Sequence, residues 1–287
     1  MKYGIASIIG RPNVGKSTLI NAILDKKVSI ISDKPQTTRN IIEGIYKDDT
    51  HEIVFVDTPG IHKPRYKLGN ILNSKAYMSM EEVDVLILVV DATQSIGKGD
   101  KYLINKLNGR NTILVLNKID KIKKDLLLPI IDEYSKLYNF SNIVPISAYK
   151  KDNIDELIKV IKTHINGDEP IYYIKSSENF EISELIREKV LELTKEEVPH
   201  TVTCLVEDIR EKDNIINIRA SIIVDRENLK KIIIGKSGSM IKEIGIRARK
   251  SIEEYYTKQV YLELNVKAIK DWRDKEKHLI ELRLKER

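Results

Sequence analysis

A glycine-rich loop between a strand pattern and a helix pattern is the feature of this sequence that most restricts its fold. Ile5–Ile9 is a short, mainly apolar run typical of a buried strand, and Lys16–Leu24 carries apolar residues at helical spacing. The residues between them fit the pattern G-x-x-x-x-G-K-[ST]. Glycine lets such a loop wrap around an anion, with successive N–H groups pointing inward. The loop and the residue after it are Gly10, Arg11, Pro12, Asn13, Val14, Gly15, Lys16, Ser17 and Thr18.

This loop predicts a nucleoside triphosphate site at the start of an α/β domain. Lys16 is expected to reach the β- and γ-phosphates as a catalytic cation, and the Ser17 hydroxyl is expected to bind Mg²⁺. The alternative is an ordinary glycine-rich turn with an exposed lysine. That alternative leaves the strand before the loop and the helix after it unexplained.

Strand and helix patterns alternate through the first part of the chain. This alternation is typical of βαβ units and predicts a mostly parallel sheet with helices on both faces. The further strands are expected at 53–56, 85–90, 113–116 and 143–146, and the further helices at 126–138 and 154–165.

The order of elements changes after Gly167-Asp168-Glu169-Pro170. We therefore predict a first domain at 1–168, a linker at 169–180 and a second, α+β domain at 181–287. The second domain has the order α-β-β-α-α-β, which does not continue the first sheet. Its elements are expected at 181–193, 201–209, 215–224, 228–233, 239–256 and 260–266, followed by a charged terminal helix at 269–287.

Composition excludes some classes of protein. The 287 residues include one cysteine, Cys204, which excludes an internal disulfide and a cysteine-rich metal site and which we expect to be a buried thiol. The net charge of +6 permits an anionic partner without naming one. No apolar stretch approaches the roughly 18 residues that cross a bilayer, and the N-terminus lacks the layout of a signal peptide. We expect a cytoplasmic protein, with peripheral membrane contact left open.

Three short motifs, each just past a predicted strand, predict guanine as the base. Asp57-Thr58-Pro59-Gly60 provides a carboxylate that can hold Mg²⁺ through water and a Gly60 N–H for the γ-phosphate. In Asn117-Lys118-Ile119-Asp120, the Asp120 carboxylate can accept bonds from the N1–H and the amine of guanine. Adenine lacks this donor pair, so ATP would leave the carboxylate unpaired at a cost of about 1–3 kcal/mol. Ser147-Ala148 adds backbone near the guanine O6.

With these motifs in order, residues 1–165 resemble a translation-factor-type GTPase domain. The resemblance implies that GTP orders two loops and that hydrolysis to GDP releases them. It also implies that a threonine in the loop 33–39 completes the Mg²⁺ shell and assists catalysis. The family pattern Thr-Thr-Arg favours Thr38, with Thr37 as the adjacent alternative.

The resemblance also bears on how GTP is hydrolysed. Many signalling GTPases orient water with a glutamine at the position of Ile61, which is apolar here, so hydrolysis is expected to be slow or assisted. Asn13 matches a loop asparagine that helps to bind K⁺ in several related GTPases, which makes K⁺ a candidate second cation. His62 fits a solvent-facing loop residue better than a catalytic base.

The second strong signal is a G-x-x-G turn between two predicted helices of the second domain. In KH domains this turn clamps the backbone of single-stranded nucleic acid, because glycine allows phosphates to approach closely. The surrounding run I-I-G-x-x-G-x-x-I-K-x-I-G and the order of elements resemble the type II KH domain. The residues expected to bind RNA are Ile234, Gly235, Lys236, Ser237, Gly238, Lys242, Arg247 and Arg249.

A GTPase domain followed by a type II KH domain resembles the Era family of bacterial GTPases over essentially the whole chain. The resemblance implies that the chain binds the 3′ end of 16S ribosomal RNA and assists the assembly and maturation of the small (30S) subunit, with partly membrane-associated behaviour. We expect a monomer. The alternative is a GTPase-regulated recruitment module whose second domain contacts a protein or an anionic membrane.

Overall fold

The computed structural model of the chain describes residues 1–26, 28–30, 42–60, 66–81, 83–171, 177–195 and 198–284. The described residues form two units. The first holds those up to residue 171 except 66–68, and the second holds 66–68 together with those from 177 onward. None of the helices in these ranges combines the length and the apolar character that crossing a bilayer requires.

A mostly parallel sheet forms the centre of the first unit, as predicted, but it has six strands rather than the five expected. Its strands are β1 (Lys2–Gly10), β2 (Ile42–Lys47), β3 (His51–Asp57), β4 (Val85–Asp91), β5 (Thr112–Asn117) and β6 (Asn142–Pro145). They lie in the order β2-β3-β1-β4-β5-β6. Strand β2 is antiparallel to β3, and the other four pairs are parallel.

The carboxyl ends of the central strands meet at one edge of this sheet. Ile8 near the end of β1 lies opposite Asp57 at the end of β3, and Asp91 at the end of β4 lies opposite Asn117 at the end of β5. Ligands of open α/β sheets bind beyond this edge. The predicted motifs, which each follow a strand, are therefore brought to the same side of the unit.

Helices cover both faces of the sheet. They are α1 (Lys16–Leu24), α2 (Lys67–Met78), α3 (Lys98–Lys106), α4 (Leu127–Ser135) and α5 (Ile154–Lys162). Leu19 of α1 and Leu157 of α5 share one core cluster with Ile8. Ala76 of α2 and Leu103 of α3 belong to a second cluster, which also contains Tyr134 of α4.

Three elements of this unit were not predicted from the sequence. Strand β2 contains Gly44, which weakens the strand pattern. Helix α3 buries only Leu103 and Ile104 among its apolar residues, too few to show a helical period. Helix α2 contains Gly69 and Asn70 in its first half, which weaken its helical pattern.

The second unit has the predicted order of main elements. They are α6 (Glu178–Leu193), α7 (Val198–Thr201), β7 (Thr203–Lys212), β8 (Ile215–Val224), α8 (Glu227–Ile234), α9 (Ser239–Tyr256), β9 (Gln259–Ala268) and α10 (Glu276–Glu281). The sheet order is β7-β8-β9, with β8 antiparallel to β7 and parallel to β9. Helix α6 begins three residues before the predicted start, because the Ser177 hydroxyl accepts a hydrogen bond from the Phe180 N–H at 3.4 Å.

Two predictions at the ends of this unit were wrong. The strand expected from Thr201 starts at Thr203, because Val198–Thr201 forms the short helix α7, whose first turn tolerates Pro199. The tail was expected as one helix over 269–287, but among its described residues, 269–284, the α-helix is confined to Glu276–Glu281. Its preceding turn buries Trp272 completely, and the indole Nε1–H donates to the Thr201 carbonyl at 2.9 Å. Cys204 is buried, as predicted.

Candidate functional site

The loop after β1 has the backbone geometry that the glycine pattern predicts. Gly10 has φ +155° and Gly15 has φ +101°, which are values that residues with side chains rarely adopt. A Cβ on Gly15 would lie 2.2 Å from the Asn117 Nδ2. Gly15 is the N-cap residue of α1 and makes no side-chain hydrogen bond to the first turn. The first N–H groups of the helix are therefore available to an anion.

Lys16 bends back over this loop. Its amine donates to the Gly10 carbonyl at 3.2 Å and to the Arg11 carbonyl at 3.0 Å, and the residue is only 6% exposed. Burial lowers the pKa of Lys16 to about 8, although the nearby Asp57 carboxylate acts in the opposite direction. The negative charge of a bound phosphate would raise this pKa again and so restore full protonation of the Lys16 amine.

A hydroxyl and a carboxylate meet where the loop joins α1. The Ser17 Oγ donates to the Asp57 Oδ2 at 2.9 Å, and the Ser29 Oγ donates to the same oxygen at 2.9 Å. Hydroxyl and carboxylate oxygens are ligands that suit Mg²⁺, so the residues present fit this ion. Ser29 was not predicted, because no motif marks it. Thr37 and Thr38 lie outside the described residues.

Gly60 lies directly against the phosphate loop. A Cβ at this position would stand 2.8 Å from the Pro12 nitrogen, so only glycine permits this approach. Thr58, from the same motif, donates through its hydroxyl to the Ile8 carbonyl at 2.9 Å and so fixes the motif to β1. Pro59 links these two residues, and Ile61 and His62 lie outside the described residues.

Asn117 joins three loops at the edge of the sheet. Its Nδ2 donates to the Val14 carbonyl at 2.9 Å, and its Oδ1 accepts from the N–H groups of Ala148 at 3.0 Å and Lys118 at 2.8 Å. Asp120 lies next to this junction, where its Oδ1 accepts from the Ser147 hydroxyl at 2.6 Å. The structure thus brings together the residues that were predicted to recognise guanine.

Lys118 is fixed by a residue that the sequence analysis missed. The amine donates to the Asn13 carbonyl at 2.8 Å and to the Asp91 Oδ2 at 2.5 Å. Burial opposes ionisation of Asp91, but the bonds from Lys118 and Thr93 outweigh it and hold the pKa of this carboxyl below its ordinary value. The position of Asp91 at the end of an apolar run is the signal that could have revealed it.

Arg11 is turned toward α3 rather than over the loop. Its Nη1 donates to the Asp100 Oδ2 at 2.9 Å, and the same oxygen accepts from the Gly97 N–H at 2.9 Å. The side chain of Arg11, predicted as a nucleotide ligand, therefore ties the phosphate loop to the first turn of α3.

The G-x-x-G turn of the second unit forms as predicted between α8 and α9. Gly235 has φ +72°, and a Cβ there would lie 2.8 Å from the Met240 nitrogen. Gly238 has φ +78° with open space around it, and Ser237 also has a positive φ. Lys236 and Ser237 are exposed, and Ile234 is the half-buried last residue of α8.

A groove of about 350 Å³ lies between α9 and β9. Two of the predicted RNA ligands, Lys242 and Arg249, line it, whereas Arg247 is absent from the lining and pairs with Glu243 at 2.7 Å. The remaining lining is apolar or glycine and was not predicted, because it combines a helix and a strand that are separate in sequence. These residues are Ile241, Gly245, Ile246, Leu262 and Leu264.

Comparison with known proteins identifies the domains of both units. Residues 5–118 match the family model described as 50S ribosome-binding GTPase, and residues 197–273 match the model of the KH domain. A variant of Era from Aquifex aeolicus, known from a crystal structure with bound GDP·AlF4⁻, has 41% sequence identity to the chain. The match covers 99% of both chains, with a TM-score of 0.95. The chain belongs to the Era family of GTPases.

A second Era structure gives the same identity, coverage and TM-score. It contains Era in complex with MgGDPNP and nucleotides 1506–1542 of 16S ribosomal RNA. Membership of the Era family accounts for the two units of the chain, a GTPase domain and a KH domain.

Proposed function

We propose that this Era-family GTPase uses GTP to control the binding of its KH domain to the 3′ end of 16S ribosomal RNA, and thereby assists assembly of the small ribosomal subunit. The observation that carries the proposal is the exposed Gly235–Gly238 turn beside a groove with both apolar and cationic lining. KH grooves take about four single-stranded nucleotides. The related Era structure is a complex with nucleotides 1506–1542 of 16S ribosomal RNA, and this supports the same RNA as the ligand proposed here.

The residues of the nucleotide site define how the phosphates would be held. Lys16 and the loop N–H groups neutralise and position the phosphates, and Ser17 and Asp57 supply oxygens for Mg²⁺. Bound Mg²⁺ would neutralise charge that develops on the phosphates during transfer. Thr38 and Gly60 complete the proposed switch. Each makes its contact only while the γ-phosphate is present, so hydrolysis of GTP would release both residues.

Base recognition is tested by the substitution Asp120→Asn. The carboxylate accepts from two guanine donors, whereas an amide presents one donor and one acceptor. GTP affinity should fall by about 1–3 kcal/mol, roughly 5- to 150-fold, and xanthosine triphosphate should bind better than before. Unchanged preference for GTP would remove Asp120 from base recognition.

RNA binding by the turn is tested by the double substitution Lys236→Asp/Ser237→Asp. The added negative charge should abolish binding of the 16S fragment while GTP hydrolysis persists. The control is Lys212→Asp/Asn214→Asp in the exposed β7–β8 hairpin, which changes the net charge by the same amount. If the turn variant kept its RNA affinity, the groove would not be the RNA site.

K⁺ is proposed as a second cation at Asn13. Turnover should be faster in K⁺ than in Na⁺ buffers, and Asn13→Gly should remove the difference. Glycine suits the positive φ of 65° at this position, so the loop backbone is retained. Equal turnover of the unaltered protein in both buffers would exclude this role.

Peripheral membrane contact by a monomer is the remaining part of the proposal, and a recruitment role for the second unit is the competing function. Binding to vesicles with and without anionic lipid tests for membrane contact, and the turn variant tests whether the Gly235–Gly238 turn serves RNA binding or recruitment. If binding to anionic vesicles is lost in Lys236→Asp/Ser237→Asp while RNA binding is retained, recruitment is the function of the turn. Sedimentation of the full chain measures its oligomeric state.

A further inference from the structure

The exposed charge of α3 is entirely positive. This helix carries Lys98, Lys101 and Lys106, and its one carboxylate is Asp100. Asp100 is 4% exposed and is directed inward to Arg11. The adjacent α2 contains no acidic residue. The chain as a whole has 43 acidic and 49 basic residues, so this segregation of charge is local.

Lys98, Tyr102 and Lys106 form a single row, which we name the α3 stripe. Their spacing of four residues places them on one side of the helix, with a rise of about 6 Å per step. The opposite side buries Leu103 and Ile104. Within the described part of the chain, the three exposed lysines of α3 form no ion pair with a carboxylate.

Aromatic surface lies between these cations. Tyr102 is 49% exposed, its hydroxyl lies 2.9 Å from that of Tyr77 on α2, and the Lys106 amine is 5.8 Å from its ring centroid. Met78 is 69% exposed at the end of α2. Alternating cations and aromatic rings are the arrangement by which proteins hold single-stranded nucleic acid, with phosphates on the cations and bases on the rings.

We propose that the α3 stripe, with Lys101 beside it, is a second RNA-binding surface, located on the GTPase unit. This inference rests on the proposed function for the identity of the polymer and adds a contact outside the KH groove. A membrane is disfavoured as occupant because interfacial helices bury several large apolar side chains, whereas Met78 is the one fully apolar side chain exposed here. A protein partner is disfavoured because lysine is depleted from the centres of protein interfaces.

The test is the triple substitution Lys98→Gln/Lys101→Gln/Lys106→Gln in the full chain, with the 1506–1542 fragment of 16S ribosomal RNA as the probe. Affinity is measured at several salt concentrations. Three lost phosphate contacts should lower the slope of log K against log salt by about 2, and weaken binding by roughly tenfold or more at physiological salt. GTP affinity should not change and confirms that the variant is folded.

The matched control is Lys47→Gln/Lys136→Gln/Lys159→Gln. These exposed lysines of the same unit each pair with a carboxylate, so the control has the same net charge without touching the stripe. Its salt slope should equal that of the unaltered protein. If the control and the stripe variant lose affinity equally, the effect is one of net charge and the proposal is overturned.

Tyr102→Leu tests the same surface without changing any charge. It should weaken RNA binding about fivefold or more through lost stacking, and leave the salt slope unchanged. It also serves if the triple variant fails to fold. Unchanged RNA affinity in Tyr102→Leu, together with an unchanged slope in the triple variant, would overturn the proposal.

The KH variant separates this proposal from the proposed function. Loss of RNA binding in Lys236→Asp/Ser237→Asp, with a stripe variant that binds RNA normally, would leave the proposed function standing and overturn the second surface. If the stripe variant lost binding to anionic vesicles or to an acidic protein but kept its RNA affinity, the partner assigned here would be wrong. RNA binding that survives both variants would contradict both proposals.

Discussion

Lys16 links nucleotide binding to pH at the scale of a single residue. Burial lowers its pKa to about 8 in the free protein, so part of the molecules carry a neutral amine at mildly alkaline pH. The phosphates of a bound nucleotide favour the charged form and raise this pKa, so binding must take up protons near pH 8.

We predict that the proton uptake per bound Mg·GTP analogue is larger at pH 8 than at pH 6.5. Affinity should be level below pH 7 and fall as pH rises above 8, by up to about tenfold per unit. Calorimetry in buffers of different ionisation enthalpy measures the uptake. The Lys16→Met variant should show no uptake, and equal uptake at both pH values would contradict the prediction.

His164 gives the first unit a pH-dependent stability. Its Nδ1 lies 3.0 Å from the Asn111 Nδ2 donor, and its Nε2 lies 3.0 Å from the Asn142 Oδ1 acceptor, which fits a neutral ring with the proton on Nε2. Burial lowers the pKa of His164 below its ordinary value. The unfolded chain therefore binds a proton at a higher pH than the folded chain does.

The contribution of His164 to stability is fully present above the unfolded pKa of about 6.5, and it is lost as pH falls toward the lower folded pKa. We predict that His164→Gln lowers the difference in Tm between pH 7.5 and pH 5.5, compared with the unaltered protein. A pH difference that is the same in both proteins would assign the effect to the other histidines.

At the scale of elements, Asn117 determines how the loops around the nucleotide fit together. One side chain bonds the loop after β1, the residue after β5 and the loop after β6, and it is 2% exposed. Removing it would leave the Val14 carbonyl and the Ala148 N–H without this partner in a buried place.

We predict that Asn117→Ala destabilises the first unit by about 1–3 kcal/mol and weakens GTP binding. Asn117→Asp keeps the acceptor for Ala148 but places a carboxylate oxygen against the Val14 carbonyl in a buried position. Its effect on stability should be at least as large as that of Asn117→Ala. Denaturant unfolding and nucleotide titration measure the two effects, and an Asn117→Ala protein with unchanged GTP affinity would contradict the assigned junction.

At the scale of the whole molecule, the single tryptophan reports on one unit. Trp272 is the only tryptophan of the chain and is completely buried in the second unit, whereas the nucleotide site belongs to the first. A ligand stabilises the part that binds it, by about 2.7 kcal/mol at 100 times its Kd.

We predict that a saturating GTP analogue raises the unfolding midpoint of the first unit and leaves the Trp272 fluorescence transition in place. Circular dichroism, which senses both units, should show the shift. RNA, which is proposed to bind both units, should move the Trp272 transition as well. An equal shift of both signals by GTP would mean that the chain unfolds as one cooperative block.

The agreement between sequence and structure was best where a local backbone requirement is written into short motifs. Gly10, Gly15, Gly235 and Gly238 were predicted as turn residues, and each adopts a positive φ. The parallel sheet was also predicted, because its buried strands are continuous apolar runs. Prediction failed for β2, α2 and α3, where few residues are buried or glycine interrupts the pattern.

The sequence by itself determined the fold class, the phosphate loop, the guanine motifs and the KH turn of this Era-family chain, because each depends on residues that are neighbours along the chain. Only the tertiary structure decided the partners that come from distant elements. It paired Lys118 with Asp91 and Arg11 with Asp100, closed the groove between α9 and β9, and buried Trp272. These contacts depend on how strands and helices pack, and no short-range pattern encodes that packing.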